Sequence, residues 1–241
     1  MESAEDQETI PKIWRDSENY LNTIFASHQF TIIPLSLTEM KKKIQHNELD
    51  FIILNPMLSI QLSQTMGISR IATISQRYKD HFYSEYGSVI FTKSGSKINQ
   101  YSDLYGKKIG AVSPHSFGGY LLGKKEIGSP MTEKNTLFLE THYKVVKAVL
   151  EGRVDAGIIR SNVLEKMQDE GIINLNDIKV LNAKKHLDFP FLVSTNLYPE
   201  WVLAKTPHTS EYLTNETLST LLKLSITPKA TQIFKLTPTL S

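Results

Sequence analysis

The sequence predicts an α/β protein of two lobes, each a mostly parallel sheet flanked by helices. Two segments of the 241-residue chain read alike when Asp155 is aligned with Asp50. In both segments the order is helix, turn, buried strand and helix, and such alternation is typical of parallel sheets covered by helices. Two copies of the unit therefore predict two lobes, and the chain is long enough to give each its own core.

The elements of the two copies follow from their apolar spacing. In the first copy they are a helix marked by Met40 and Ile44, a turn at Leu49 and Asp50, a strand over Phe51–Leu54 and a helix over Met57–Met66. In the second they are a helix marked by Val145, Val146, Val149 and Leu150, a cap at Gly152, a strand over Ala156–Ile159 and a helix over Asn162–Glu170. Apolar residues three and four apart indicate the helices, and short apolar runs indicate the strands.

The correspondence extends upstream of these segments. Helices are predicted over Trp14–Phe25 and Ser116–Ile127, and strands over Phe30–Pro34 and Thr136–Leu139. The second copy also opens with a strand, Lys107–Val112, whose counterpart around Glu5–Ile10 is too polar for a central strand. Either the first lobe is built differently, or the chain has lost its first strand. We expect the second, and an added β-forming N-terminal segment should then stabilise the lobe.

Composition excludes several classes of function. The 40% hydrophobic and 22% charged fractions are typical of soluble globular proteins, and a net charge of +2 with interspersed signs argues against a nucleic-acid binder. The absence of cysteine excludes disulfides and thiolate sites, and the seven histidines show no metal-ligand spacing, so neither metal nor cofactor is expected. No apolar run approaches the ~20 residues of a membrane span. The acidic start lacks the basic and apolar regions of a secretion signal, so for an exported protein we expect the signal to have been removed from this sequence.

Two polar residues occupy equivalent positions directly after the buried strands of the repeat. They are Asn55 and Arg160. Ligands of open α/β sheets bind at the carboxyl ends of strands, so both are candidate contacts in a cleft between the lobes. Asn55 before Pro56 also suits a helix N-cap. The planar fork of Arg160 suits a small oxyanion, with an ion pair to Glu165 as the structural alternative.

A second candidate site is the loop that follows the strand Lys107–Val112. Its residues Ser113, His115, Ser116, Gly118 and Gly119 open a helix, and exposed N–H groups at a helix start attract anions. Glycines allow a ligand to approach the backbone closely. Ordinary capping by Ser113 or Ser116 is the alternative, and the loop lacks the nucleotide-binding fingerprints.

Two further groups of residues complete the candidates. His142 and Tyr143 follow the strand Thr136–Leu139, again at a carboxyl end. Tyr83, Ser84 and Tyr86 precede Gly87, where the chain is expected to cross between the lobes, and they either line the cleft or pack the crossing. No nucleophile with an adjacent base is found, so catalytic residues are not predicted.

Several short motifs of the sequence resemble those of known families. Three motifs resemble the phosphonate-binding-protein superfamily: Asp50-Phe51 with Asn55-Pro56, Asp103-Leu104 with Gly106-Lys107-Lys108, and Ser116-Phe117-Gly118-Gly119. Three others resemble the periplasmic domain of tetrathionate-sensor histidine kinases: Val154-Asp155-Ala156-Gly157 with Arg160, Leu164-Glu165-Lys166-Met167, and Ser194-Thr195-Asn196-Leu197-Tyr198-Pro199-Glu200-Trp201. The resemblance runs from about Trp14 to about Leu224.

The resemblance implies a periplasmic binding protein fold of type II, the venus flytrap, with lobe I over residues 1–86 and 191–241 and lobe II over 87–190. Such a domain lies outside the cytoplasm, captures a small oxyanion such as tetrathionate or a phosphonate between the lobes, and closes on it. The implied ligand contacts, together with the candidates above, are Asn55, Tyr83, Ser84, Ser113, His115, Ser116, Gly118, Gly119, His142, Tyr143, Arg160 and Ser194.

The resemblance leaves the partner open. Closure is relayed to a membrane-anchored histidine kinase region, whose activity lies outside this chain, or the chain is the soluble receptor of an ABC transporter permease for phosphonate-like anions. An enzyme on the same fold is a third possibility. The family's opening strand is absent from this sequence, and the tail after Leu224 is shorter and more polar than the family implies.

Overall fold

The computed structural model describes residues 15, 18–25, 28–79, 81–224 and 235–238, with the backbone alone for 223–224 and 235–238. The expectations for Glu5–Ile10 and for the helix start at Trp14 lie outside these residues. The described residues form two compact units, which we call the first and the second unit. The second unit is Tyr86–Leu197, and the first takes the described residues up to Glu85 and from Tyr198 onward.

Helices and strands alternate through much of both units. The first unit contributes α1 (helical residues 18–24), α2 (Leu37–Gln45), β1 (Phe51–Leu54), α3 (Pro56–Met66), β2 (Ser69–Tyr78) and β3 (His81–Tyr83). β4 (Glu85–Tyr86) leads into the second unit, which holds β5 (Ser88–Lys93), β6 (Ile109–Ala111), α4 (Leu122–Ile127), β7 (Thr136–Phe138), α5 (His142–Leu150), β8 (Ala156–Arg160), α6 (Val163–Asp169) and β9 (Ile178–Val180). The first unit resumes with β10 (Tyr198–Pro199), β11 (Val202–Lys205), α7 (Glu211–Leu224) and β12 (Lys235–Pro238).

The second unit continues beyond Phe191 and ends at Leu197. The reason is that the intervening segment is bonded to β5, since the Ser194 N–H donates to the Ser88 carbonyl at 2.8 Å and the Ser88 N–H donates to Thr195 Oγ1 at 3.0 Å. These bonds make residues 191–197 part of the second unit.

The sheet of the second unit has the strand order β7-β6-β8-β5-β9. β6 pairs in parallel with β7 and with β8, whereas β5 pairs antiparallel with β8 and β9. Every residue of β8 is buried, as are the first five of β5. Fully buried central strands of this kind require cover on both faces, and the two largest apolar clusters of the unit supply it.

In the first unit the strand directions differ from the prediction of a mostly parallel sheet. The order is β1-β11-β2-β12 with β3 beside β2, and every pairing among the described residues is antiparallel. β1 and β2 do point the same way, but β11 runs between them in the opposite direction and pairs with both. The repeat could not predict this insertion, because β11 lies outside the repeated segments.

The segment Phe30–Pro34, predicted as a strand, belongs to no sheet. Its backbone groups are bonded to side chains of the preceding helical stretch instead. The Phe30 N–H donates to Asn22 Oδ1 and the Ile32 N–H to Glu18 Oε2, both at 2.6 Å. Because these donors are satisfied locally, the segment needs no neighbouring strand.

Candidate functional site

Three strands of the second unit end at the same edge of its sheet. β6, β7 and β8 are mutually parallel, so the loops that follow them share that edge. Two bonds tie the first two loops together: the Leu139 N–H donates to the Ala111 carbonyl and the Glu140 N–H to the Val112 carbonyl, each at 2.9 Å. The predicted residues that follow these strands are therefore neighbours in space.

Arg160 is the last residue of β8 and is only 8% exposed. Its guanidinium carbon lies over the ring of Tyr86, 4.5 Å from the ring centroid. A cation held against an aromatic face gains electrostatic attraction, and the gain increases as water is excluded. The side chain is therefore fixed at the sheet edge rather than extended into solvent.

The alternative role proposed for Arg160, an ion pair with Glu165, is absent among the described residues. Glu165 instead accepts the Leu192 N–H at Oε1, at a distance of 2.6 Å. Burial raises the pKa of this carboxyl, and the hydrogen bond from Leu192 opposes that rise. Glu165 thus anchors the segment that leads out of the unit.

The loop after β6 opens a helix as predicted, with a local irregularity. Ser116 is the N-cap, and its Oγ accepts the Gly119 N–H at 3.1 Å. The first turn, Phe117–Leu121, is π-helical and continues into α4. Such turns are frequent at functional sites. A Cβ at Gly118 would lie 2.9 Å from the Arg160 Cβ, so glycine allows this turn to pack directly against Arg160.

His142 begins α5 and is 9% exposed. Thr141 caps this helix by accepting the Lys144 N–H at Oγ1, at 2.8 Å. The His142 Nδ1 lies 3.4 Å from the backbone nitrogen of Arg160. Two helix starts, at Phe117 and His142, therefore adjoin one buried arginine, and both helix ends favour negative charge.

The remaining candidates of the second unit differ in their surroundings. Ser113 is half-buried and its carbonyl accepts the Ser116 N–H, whereas His115 is exposed. The Tyr143 hydroxyl donates to Glu170 at 2.7 Å. Ser194 is fully buried, and its hydroxyl accepts the Ile90 N–H and donates to the Leu181 carbonyl. Ser194 therefore has a structural role inside the unit.

Three candidates belong to the first unit. Asn55 is 8% exposed and is the N-cap of α3, where its Oδ1 accepts the Leu58 N–H at 3.0 Å. Tyr83 ends β3 and is half-buried. Ser84 is exposed, and its carbonyl accepts the Glu200 N–H at 2.7 Å. The capping role weighed for Asn55 is thus present in the structure.

Sequence reasoning left open whether Tyr86 lines the cleft or packs the crossing, and it did not single out Ser88. Tyr86 is 2% exposed and lies beneath the Arg160 guanidinium, with Phe117 edge-on at 6.1 Å between centroids. The Ser88 hydroxyl donates to the Gly118 carbonyl and so holds the π-helical turn. The available signal was the position of Tyr86 at the crossing, which is equally typical of packing.

Two observations bear on other kinds of site. Within the residues that the structure describes, no group of three or more His, Asp or Glu side chains is arranged to hold a metal ion. No helix in this part of the chain combines the length and the apolar character that crossing a membrane requires. Around Arg160 the structure combines a permanent cation with two helix starts at a sheet edge, and each of these features favours negative charge.

Comparison with known proteins places the chain among binding proteins. A family model described as the phosphonate periplasmic substrate-binding protein of ABC transporters matches residues 1–238. A tetrathionate sensor histidine kinase of Salmonella typhimurium is 32% identical over 206 residues, which are 83% of this chain and 35% of that protein. The chain therefore spans about a third of the length of this curated relative.

Solved structures are similar over nearly the whole chain. XAC2383 from Xanthomonas citri, bound to ATP, has a TM-score of 0.70 at 15% identity and is matched over 95% of this chain and 86% of its own. PhnD1 from Prochlorococcus marinus, in complex with methylphosphonate, has a TM-score of 0.69 at 16% identity, over 98% of this chain and 89% of its own. These similarities confirm the type II periplasmic binding fold that the sequence predicts.

Proposed function

Since the chain belongs to the family of phosphonate periplasmic substrate-binding proteins of ABC transporters, we propose that it binds a small oxyanion at the Arg160 edge of its second unit. Members of such a family capture a ligand and release it unchanged. The ligands to be tested first are those of its relatives, the tetrathionate of the sensor kinase and the methylphosphonate of PhnD1.

The observation that carries the proposal is the position of Arg160. A permanent cation that is 8% exposed lies at the end of a central strand, beside the helix starts at Phe117 and His142. Charge-assisted hydrogen bonds from guanidinium to sulfonate or phosphonate oxygens are about twice as strong as neutral ones, and arginine can form two in parallel. Asn55, Tyr83 and Ser84 remain proposed contacts from the first unit.

The test is isothermal titration of the wild type, Arg160→Ala and Arg160→Lys with tetrathionate, thiosulfate, methylphosphonate, phosphate and sulfate. For the ligand that the wild type binds, Arg160→Ala is expected to weaken affinity by roughly thirty-fold to a few thousand-fold, the loss of one partner of a desolvated charge pair. Arg160→Lys should recover part of the affinity, because an ammonium lacks the two-pronged geometry.

Arg153→Ala is the matched control. It also removes one arginine from the second unit, but Arg153 is about half exposed and forms a surface pair with Glu151 at 2.7 Å. Its affinity is expected to equal that of the wild type. Equal affinities of Arg160→Ala and Arg153→Ala, with both proteins folded by melting curves, would remove Arg160 from the site.

We further propose that this binding domain serves a sensor histidine kinase outside the cytoplasm. The support is the 32% identity to a tetrathionate sensor kinase, against 15–16% for the solved transporter-type neighbours. The soluble receptor of an ABC permease for phosphonate-like anions is the second candidate, favoured by the description of the family model.

Deleting the gene in its host separates the two roles. A sensor domain is required for ligand-induced transcription, whereas a transporter receptor is required for uptake of radiolabelled ligand. Loss of transcription with intact uptake supports the sensor, and the reverse pattern supports the receptor. Incubating the protein with ligand and searching for any product tests the enzyme alternative.

Closure of the chain on its ligand also remains a prediction. Small-angle scattering with and without a saturating concentration of the bound oxyanion tests it. A radius of gyration that does not change would contradict a flytrap mechanism while leaving binding itself intact.

A further inference from the structure

We propose that Tyr86 is a positioning residue, which fixes the Arg160 guanidinium so that the site selects anions carrying two oxygens on one atom. The inference rests on the oxyanion function proposed above. It gives Tyr86 a role toward Arg160 that neither the sequence pattern nor the comparisons assign.

The first step is the contact itself. The Tyr86 ring is 2% exposed, and the guanidinium carbon of Arg160 lies 4.5 Å from its centroid. The ring is also held: Phe117 meets it edge-on at 6.1 Å, and a Cβ at Gly118 would lie 2.8 Å from its Cε2. A ring confined in this way restricts the rotamers of the side chain that lies over it.

The second step concerns the direction of the donors. All five N–H groups of a guanidinium lie in its plane, as a rigid fork. Because one face lies against the aromatic ring, a ligand approaches the guanidinium at the edges of the fork rather than at that face. Two parallel N–H groups fit two oxygens of one sulfonate or phosphonate, and a monatomic anion such as chloride can use this geometry only in part.

The third step separates the ring from the hydroxyl. The attraction between cation and ring depends on the aromatic face, which phenylalanine also offers. Positioning by the ring therefore predicts that Tyr86→Phe preserves affinity and Tyr86→Leu does not. A role of the hydroxyl predicts that both variants lose affinity.

The experiment measures the affinity of each variant for tetrathionate, methylphosphonate and chloride by titration. For the oxyanion that the wild type binds, Tyr86→Leu is expected to weaken affinity by about five- to thirty-fold, the range of a desolvated cation–π contact. Tyr86→Phe is expected to stay within about twofold. The preference over chloride should fall in Tyr86→Leu, because a freed guanidinium no longer favours paired oxygens.

A double-mutant cycle distinguishes positioning from a general structural role. In an Arg160→Gln background there is no cation for the ring to attract, so adding Tyr86→Leu should cost less than about twofold. Tyr78→Leu is the matched control. Tyr78 also has a cation over its ring, the Lys79 Nζ at 5.2 Å from the ring centroid, but it lies in the first unit. Tyr86→Met, which preserves most of the volume, replaces Tyr86→Leu if that variant does not fold.

The outcomes are distinguishable. Wild-type protein that binds none of the oxyanions overturns the proposed function. Binding that depends on Arg160 but is unchanged in Tyr86→Leu and Tyr86→Met overturns the role of Tyr86 alone. Equal losses from Tyr86→Leu with and without Arg160 also overturn it, because the ring would then act elsewhere.

Discussion

The backbone N–H of Arg160 points at Nδ1 of His142, with the two nitrogens 3.4 Å apart. This contact joins the end of a central strand to the first residue of α5. Both residues are buried, so this N–H depends on an acceptor within the protein. The imidazole therefore has a structural task at the sheet edge in addition to any contact with ligand.

Replacing His142 by alanine is expected to lower the free energy of unfolding by about 1–3 kcal/mol, because a buried backbone donor loses its acceptor. His142→Asn should recover part of this loss, since its amide oxygen can reach the position of Nδ1. Urea denaturation of both variants measures the difference. Equal losses in the alanine and asparagine variants would show that the contact with Arg160 contributes nothing.

Ser194 is expected to matter for stability and not for binding. Ser194→Ala removes the acceptor of the Ile90 N–H and the donor to the Leu181 carbonyl, and should cost about 1–3 kcal/mol. The affinity for oxyanion, measured by titration, should equal that of the wild type. The exposed Ser129→Ala is the control, with an expected change within about 0.5 kcal/mol. A folded Ser194→Ala protein with weakened affinity would return Ser194 to the ligand site.

His142 and Ser194 illustrate what the sequence could and could not predict of the candidate site. That Arg160 and His142 lie close together was predictable, because each comes at the end of a predicted strand and parallel strands bring such residues to one edge. Ser194 was a candidate because it lies in a sequence motif that resembles the sensor-kinase family, and a motif does not reveal which way a side chain points. Tyr86 packs beneath Arg160 through a contact 74 positions away in sequence, for which no local pattern exists.

The fold, like the site, was predictable where the sequence signals are local and not where they depend on distant segments. The repeat predicted β1, β8 and the helices around them because apolar period and caps are local signals. The direction of β11 between β1 and β2 was not predicted, because it depends on a segment that returns after the whole second unit. Side-chain bonds from Glu18 and Asn22 likewise replace the predicted strand at Phe30–Pro34, and they have no sequence signature.

Gly118→Ala is expected to weaken both stability and binding. An added Cβ would lie 2.8 Å from the Tyr86 ring and 2.9 Å from the Arg160 Cβ, so one of these side chains must move. Overpacking of this kind costs typically about 1–3 kcal/mol, and the displacement falls on the cation of the site. Melting curves and titration measure the two effects.

Gly110→Ala is the matched control for this substitution. Its Cβ would meet the ends of Leu139 and Val154 side chains at 3.2 Å, and Arg160 is not among its nearest neighbours. It should lower stability without lowering affinity. Loss of affinity in both glycine variants would show that binding follows overall stability rather than the packing of Arg160.

Glu165 is expected to make the protein less stable as pH rises through the pKa of its carboxyl in the folded state. The residue is 9% exposed, its Oε1 accepts the Leu192 N–H, and no hydrogen bond reaches its Oε2 among the described residues. Burial raises the pKa of this carboxyl above its ordinary value of 4.5. Asp169, on the same helix, raises it further, whereas the bond from Leu192 opposes the rise.

A carboxyl with a raised pKa holds its proton in the folded protein at pH values where the unfolded chain has already released it. The contribution to stability is therefore fully present below about 4.5 and is lost as pH rises through the folded value. Glu165→Gln cannot titrate and keeps an acceptor for the Leu192 N–H. We expect the wild type to lose stability relative to Glu165→Gln as the pH is raised from about 4 towards 8. Urea midpoints at each pH measure this difference, and Glu133→Gln controls for the change in net charge. The opposite result would be a wild type whose free energy of unfolding rises relative to that of Glu165→Gln as the pH is raised. It would mean that the Leu192 bond outweighs burial and that the ionised carboxylate stabilises the unit.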